Sequence, residues 1–392
     1  MKPVFSNRAK NIRASEIREI LKLTSRSDII SFAGGLPAPD CFPIDQLKGI
    51  SKEVLQDMGV EALQYNATEG YLPLREKIAK RMQKQGMDAK ADNILMTSGS
   101  QQGLDFSGKI FTDPGDIVLC ESPSYLGAIN AFKAYGAEFV EVDTDENGMI
   151  PEDLEAKLEK YDRVRMIYVI PDFQNPTGRT WSVERRKTLL SLAKKYNKVV
   201  IEDNPYGELR YEGESLPSVY ALDKDDLVVY LGTFSKTFCP GLRIGWVCAS
   251  DEILNKYVLV KQGADLHSNA MAQRELSLFL DHYDFDAHID KLVKLYRHRR
   301  DIMVDALDKY FPKDIKYVKP EGGLFLWLEV SDKIDTKPFL QDAIKEGVAF
   351  VPGNSFFPNG GVDNGMRLNF SNMDDENIEA GMARLGALLK NL

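Results

Sequence analysis

The sequence predicts an α/β fold: a mainly parallel central sheet flanked by helices, followed by a smaller α+β unit. Two observations predict it. Short apolar runs alternate with amphipathic helical patterns through the middle of the chain, and from about Asp284 that rhythm changes. Strands that alternate with helices form parallel sheets, because each crossover helix returns the chain to the same edge.

Seven runs read as buried strands: "NILMTSG" (93–99), "DIVLCE" (116–121), "AEFVEV" (137–142), "RMIYVI" (165–170), "KVVIED" (198–203), "LVVYLG" (227–232) and "RIGWVCA" (243–249). Between most of them lie segments such as "PEDLEAKLEKY" and "VERRKTLLSLAKKY", with apolar positions three and four apart, the spacing of one helical face. After Asp284 a long charged helix, "HIDKLVKLYRHRRDIMVDALDKYF", leads into "KYVKPEGGLFLWLEV", "GVAFVPG" and "GMRLNFS". A closing amphipathic helix, "DENIEAGMARLGALL", follows. The expected division is an N-terminal arm (1–44) joining the small domain, a large domain (45–285) and a C-terminal small domain (286–392).

Composition narrows the function. The chain has 392 residues, 43% hydrophobic and 28% charged, with a net charge of −9, so no basic character draws it to nucleic acid. No apolar run approaches the roughly 18 residues of a membrane span. The N-terminus "MKPVFSNRAKNIRASEIREILKL" has no apolar signal core, and the expected location is cytoplasmic. Cys41, Cys120, Cys239 and Cys248 lack metal-ligand spacing and neighbouring histidines, so reduced thiols and no metal are expected.

In open α/β sheets ligands sit beyond the carboxyl ends of the strands. Here each strand end offers a different polar group. Ser100 and Gln101 open a helix after the first strand, where free N–H groups suit an anion such as phosphate. Tyr125 follows the second strand, and Asn175 lies in "PDFQNPTG". Asp203 ends "KVVIED" and Tyr206 comes three residues later. Ser235, Lys236 and Arg243 lie in "SKTFCPGLRIGW", beyond "LVVYLG". Taken singly, each has an ordinary structural explanation: a turn, a helix cap, a core ring, a snorkelling lysine. Their co-occurrence in order, one at each strand end, points instead to a site for a planar, phosphorylated, aldehyde-bearing ring.

"NPTG" (175–178), "EDNPYGELRY" (202–211), "SKTFCPGLRIGW" (235–246) and "GMRLNFS" (365–371) resemble the fold-type I, pyridoxal-phosphate-dependent aminotransferases of class I/II, along essentially the whole chain. "ASEIREILKL" (14–23) and "FAGGLPAPDCFP" (32–43) narrow the likeness to the 2-aminoadipate and kynurenine aminotransferase subgroup. Phe238-Cys239 and Gly207 depart from residues frequent at those positions. The resemblance implies the fold-type I architecture, pyridoxal 5'-phosphate as cofactor, and a ping-pong Schiff-base transfer from an L-amino acid to 2-oxoglutarate. It makes Lys236 the Schiff-base lysine, and Asp203 the partner of the pyridine nitrogen. Asn175 and Tyr206 become donors to the ring oxygen, and Tyr125 the ring that stacks on the cofactor. Ser100, Gln101, Ser235 and Arg243 become phosphate ligands.

Arg367, with Asn175, is expected to take the substrate carboxylate, and Gly35 to bring backbone close to the substrate. Tyr65 is expected to reach the partner's phosphate in a homodimer with shared sites. In "ASEIREILKL", Ile17, Ile20, Leu21 and Leu23 form one helical face, and Ser15 and Arg18, three apart, share another. The resemblance places them over the site, with Arg18 meeting the distal carboxylate of acidic substrates and swinging aside for apolar ones. Small amino and 2-oxo acids are the expected partners. A lyase or decarboxylase would use the same lysine and aspartate. An effector-sensing domain of a transcription regulator would need a basic DNA-binding domain ahead of the arm, and the expectation is that none is present.

Overall fold

The computed structural model describes residues 3–6, 8–9 and 28–391. Ser15 and Arg18 lie outside the described residues. The seven apolar runs form β1 (Ile94–Ser98), β2 (Ile117–Glu121), β3 (Glu138–Val142), β4 (Val164–Val169), β5 (Val199–Asp203), β6 (Val228–Thr233) and β7 (Ile244–Cys248). They make one seven-stranded sheet in the order β1-β7-β6-β5-β4-β2-β3. β2 pairs in parallel with β3 and β4, and β5 pairs in parallel with β4 and β6.

β7 runs antiparallel to both of its neighbours, β1 and β6. The connection from β6 is only residues 234–243, with a single 3₁₀ turn at Pro240–Leu242, too short for a parallel crossover. The reversal has a positional consequence. The end of β7 that meets the carboxyl edge of the other strands is its start, so Arg243 arrives where Asp203 and Ser235 also lie.

Both faces of the sheet are covered, and strands β2, β6 and β7 are buried throughout. The period of two survives in what each residue touches. Leu95, Val118, Tyr168, Ile201, Val229, Leu231 and Val247 share one core. Their chain neighbours Ile94, Met96, Tyr230 and Trp246 enter a second, and Leu119, Ile167 and Val200 a third.

A second sheet carries Lys316–Tyr317, Phe325–Glu329, Gly365–Asn369 and Val351–Pro352 in that spatial order, every pair antiparallel. Ile30–Ser31 pairs in parallel with Val348–Ala349, so the segment before the large sheet is stitched to the C-terminal part of the chain. The closing helix Asp375–Lys390 begins with Asp374 accepting from the Asn377 amide and buries Ile378, Met382, Leu385 and Leu389, at alternating spacings of four and three. The helix Phe285–Tyr310 is capped in the same way by Asp284. Its first residue, Phe285, packs edge-on against Phe234, while the Tyr296 hydroxyl accepts from the Ala38 amide. That helix therefore ties the turn beside Lys236 to the N-terminal segment. Among the described residues no helix is long and apolar enough to cross a membrane, and no group of three or more His, Cys, Asp or Glu is arranged to hold a metal. All four cysteines are free thiols.

Candidate active site

A cleft of about 350 Å³ opens at the carboxyl edge of the large sheet, within the size range of small-molecule pockets. Its lining includes Gly35, Ser100, Gln101, Tyr125, Asn175 and Asp203, together with Tyr206, Ser235, Lys236, Arg243 and Arg367. Every residue singled out from a strand end is present. Tyr65 is not in the lining: it is 78% exposed, and its ring lies 5.9 Å from that of His267 in an edge contact.

The phosphate-suited end is built by close approach. Gly99 takes φ +73°, and a Cβ there would lie 2.4 Å from Arg243 Nη2. A Cβ on Gly245 would fall 2.6 to 2.8 Å from the backbone of Gly99 and Ser100. Only glycines let β7 press against the turn that opens the helix Ser100–Phe111. That helix has no side-chain cap at its N-terminus, where the peptide dipole favours an anion. Arg243 is itself left-handed, at φ 55°, and its guanidinium donates to the carbonyls of Ser98 and Pro240 at 3.1 and 3.2 Å. Ser235 is held by Thr233, whose hydroxyl donates to Ser235 Oγ at 3.0 Å and accepts from its amide at 3.1 Å. Gln101 donates to the Gly127 carbonyl at 3.0 Å, beneath the Tyr125 ring, which leaves no room for a Cβ on Gly127.

Lys236 Nζ donates to the Gly35 carbonyl at 2.7 Å. Burial pushes its pKa down to about 8, and the cations Arg367 and Arg243 add to the effect against the opposing pull of Asp203. Asp203 is 2% exposed. Its Oδ2 accepts from the Tyr168 hydroxyl at 3.0 Å, while Oδ1 is buried with no partner among the described residues. Burial drives this carboxyl up to about 7, with Tyr168 and Lys236 holding it lower than burial alone would. A desolvated acceptor without a donor is costly, so Oδ1 is the natural seat of a cationic N–H.

Arg367 comes from the small sheet. Its Nη1 donates to Asn175 Oδ1 at 2.9 Å and its Nη2 to the Ala33 carbonyl at 2.7 Å, while Nε is buried without a partner among the described residues. The guanidinium lies 4.2 Å from the Phe325 ring centroid and 5.1 Å from that of Phe356. Tyr206 sets its ring edge-on to Phe325 at 5.9 Å, and burial raises its phenol well above the usual range. Tyr125 is likewise pushed up to about 12 by burial, so both phenols remain donors.

Several contributors were not legible beforehand. Tyr168, Phe325, Phe356 and the carbonyls of Ala33 and Gly35 hold or frame the charged groups. Only Tyr168, in "RMIYVI", had a sequence signal: a polar tip inside an otherwise apolar strand.

Comparison with known proteins follows the same lines. Residues 41–385 match the family model described as aminotransferase class I and II. An aromatic-amino-acid aminotransferase 1 of Thermococcus litoralis is 45% identical, with 98% of this chain and 94% of that one covered. The crystal structure of a Pyrococcus horikoshii kynurenine aminotransferase, in complex with PMP and with KYN and KYA as substrate and product, matches at TM-score 0.94 and 44% identity, over 99% and 97% of the two chains. That of the alpha-aminoadipate aminotransferase LysN of Thermus thermophilus, complexed with N-(5'-phosphopyridoxyl)-L-leucine, matches at TM-score 0.92 and 40% identity, with the same coverage.

Proposed function

This chain belongs to the class I and II aminotransferases and is a pyridoxal-phosphate-dependent transaminase; from that premise we propose that it moves an amino group from an L-amino acid of 2-aminoadipate, aromatic or branched-chain type to 2-oxoglutarate in a ping-pong cycle. The observation that carries this reading is the convergence of Lys236, Asp203 and Arg367 on one cleft, with unspent bonding capacity on Asp203 Oδ1 and Arg367 Nε. When bound, pyridoxal phosphate supplies an aldehyde that condenses with amines and a ring that withdraws electrons from the substrate Cα.

In this reading Lys236 would hold the cofactor, and its depressed pKa would suit a neutral amine that carries the proton away from the substrate Cα. Asp203 would meet the ring nitrogen through Oδ1, its unpartnered oxygen. Asn175 spends Oδ1 on Arg367, which assigns its Nδ2, with Tyr206, to the ring oxygen. Tyr125 covers a ring face. Ser100, Gln101, Ser235 and Arg243 bind phosphate, with Arg243 supplying charge-assisted bonds. Arg367, with Asn175, takes the substrate carboxylate, and Gly35 lies beside it. Ser15 and Arg18 read the distal end of acidic substrates.

We extend the reading to a cytoplasmic homodimer in which Tyr65 of each subunit completes the phosphate site of the other. Tyr65 follows the helix Ile44–Leu63, whose Leu55, Val60 and Leu63 are more than half exposed, as are Leu259 and Leu266. The division at residues 1–44, 45–285 and 286–392 belongs to the same proposal. The test is an amino-donor screen with 2-oxoglutarate, reading glutamate. Glutamate from 2-aminoadipate, aromatic and leucine-type donors is the expected result. No glutamate from any donor, or carbon dioxide in place of a 2-oxo acid, overturns the reading in favour of lyase or decarboxylase chemistry.

A further inference from the structure

We propose that Tyr168 is a positioning residue for the reaction: its hydroxyl holds Asp203 as an anion and commits Oδ2, so that Oδ1 alone meets the cofactor ring nitrogen. The inference rests on the proposed pairing of Asp203 with that nitrogen, and it assigns a role to a residue outside the cleft lining.

The geometry is set by the sheet. Tyr168 on β4 stands opposite Ile201 on β5, two residues before Asp203, so the tyrosine and the aspartate share a face. Its ring is fixed edge-on against Phe132, with centroids 5.7 Å apart, and both rings are buried. The hydroxyl reaches Asp203 Oδ2 at 3.0 Å, the one hydrogen bond that this carboxylate receives among the described residues. Lys236, the neighbouring cation, spends its own bond on the Gly35 carbonyl. Burial raises the phenol well above its ordinary range, so Tyr168 donates and does not ionise.

The consequence concerns one proton. With the ring nitrogen protonated and Asp203 charged, the pair is ionic in a desolvated setting. Tyr168 is the protein donor that offsets the cost of that anion. Without the hydroxyl, the carboxylate's affinity for a proton rises. The proton then moves from ring nitrogen to carboxylate, leaving a neutral pyridine and a neutral carboxylic acid. Charge is conserved, but a neutral ring withdraws electrons less well.

The test loads wild type, Tyr168→Phe and Asp203→Asn with pyridoxal phosphate labelled with ¹⁵N in the ring, and reads the ¹⁵N chemical shift by solid-state NMR. Cofactor Kd, kcat and KM are measured on the same preparations. Tyr168→Phe is expected to move the shift toward that of an unprotonated pyridine. It should also lower kcat roughly tenfold or more, the scale of a hydrogen bond to a charged group, while KM for the amino donor stays within about twofold. A role in packing alone would weaken stability or Kd and leave the shift in place. A shift unchanged in Tyr168→Phe but moved in Asp203→Asn overturns the role of Tyr168 and keeps the Asp203 pairing. A shift unchanged in both overturns the pairing and this inference with it. Should Tyr168→Phe fold poorly, 3-fluorotyrosine at position 168 keeps the shape and strengthens the donor. The ¹⁵N shift should then move toward the protonated value or stay fully protonated, and movement toward neutral pyridine overturns the inference.

Discussion

Replacing Asp203 with asparagine should make the cofactor-free protein progressively more stable relative to the parent as pH rises. Burial lifts the Asp203 carboxyl to about 7 in the folded chain, against about 3.9 for an unperturbed aspartate. Between those values the folded state keeps a proton that the unfolded chain has released, so stability falls as pH rises. Across the whole window the loss is about three units at 1.36 kcal/mol each, roughly 4 kcal/mol. From pH 5 upward about two of those units remain, or ~3 kcal/mol, all expressed by pH 8. Asparagine does not titrate. Its carbonyl can accept from Tyr168, and its amide leaves one buried donor unpaired, a cost of about 1–3 kcal/mol at every pH. The stability difference, variant minus parent, should therefore rise by ~3 kcal/mol between pH 5 and pH 8 whatever its absolute value. Urea denaturation of both apo proteins at the two pH values, at one protein concentration, measures it. Adding pyridoxal phosphate at pH 8 should raise the midpoint of the parent more than that of the variant. A stability difference that is flat between pH 5 and pH 8 would refute a carboxyl strained by burial at this position.

Lys236→Ala should lose transamination yet still bind pyridoxal phosphate through the cleft's other groups; turnover near the parent rate would remove the lysine from the chemistry. Gly245→Ala should raise the Kd for pyridoxal phosphate at least about tenfold, because its Cβ meets backbone at 2.6 to 2.8 Å, whereas Gly241→Ala, with nothing within 4 Å, should leave it unchanged. Equal affinities in fluorescence titration would show that the turn has room to yield. Arg18→Ala should raise KM for 2-oxoglutarate, glutamate and 2-aminoadipate, and change leucine and aromatic donors by less than about tenfold, or 1.4 kcal/mol. Equal losses for both substrate classes, or no loss for either, would exclude a selective role.

The large sheet was legible because its strands are nearly continuous apolar runs bounded by polar punctuation, and the site was legible because each punctuation mark was chemically distinct. Asp203 after "VVIE" and Lys236 after "LVVYLGTFS" stand out as charges where the chain has just left the core. The antiparallel course of β7 was not marked by composition: "RIGWVCA" reads like its parallel neighbours, and only the short connection from β6 distinguishes it. Phe325 lies on the strand paired with that of Arg367, and Phe356 in the turn after Val351–Pro352; their place against the guanidinium follows from strand pairing that the sequence does not mark. Tyr168 lies in a strand buried on both faces, where no alternation reveals which side a residue takes. Carbonyl contacts have no residue signature at all.

Those carbonyls have an evolutionary corollary. Ala33, Gly35 and Leu36 each tie the chain down through a peptide oxygen, to Arg367, Lys236 and Ser371 in turn. The peptide oxygen is common to every amino acid, so the fastening is indifferent to most of the lettering written over it. At Gly35 the freedom stops, since a Cβ would crowd the Phe325 ring at 3.2 Å. Leu36, by contrast, has 48% of its surface free. A lineage, or a mutagenesis library, can therefore rewrite the side chain at position 36 while the moorings of the lysine and the arginine stay as they are.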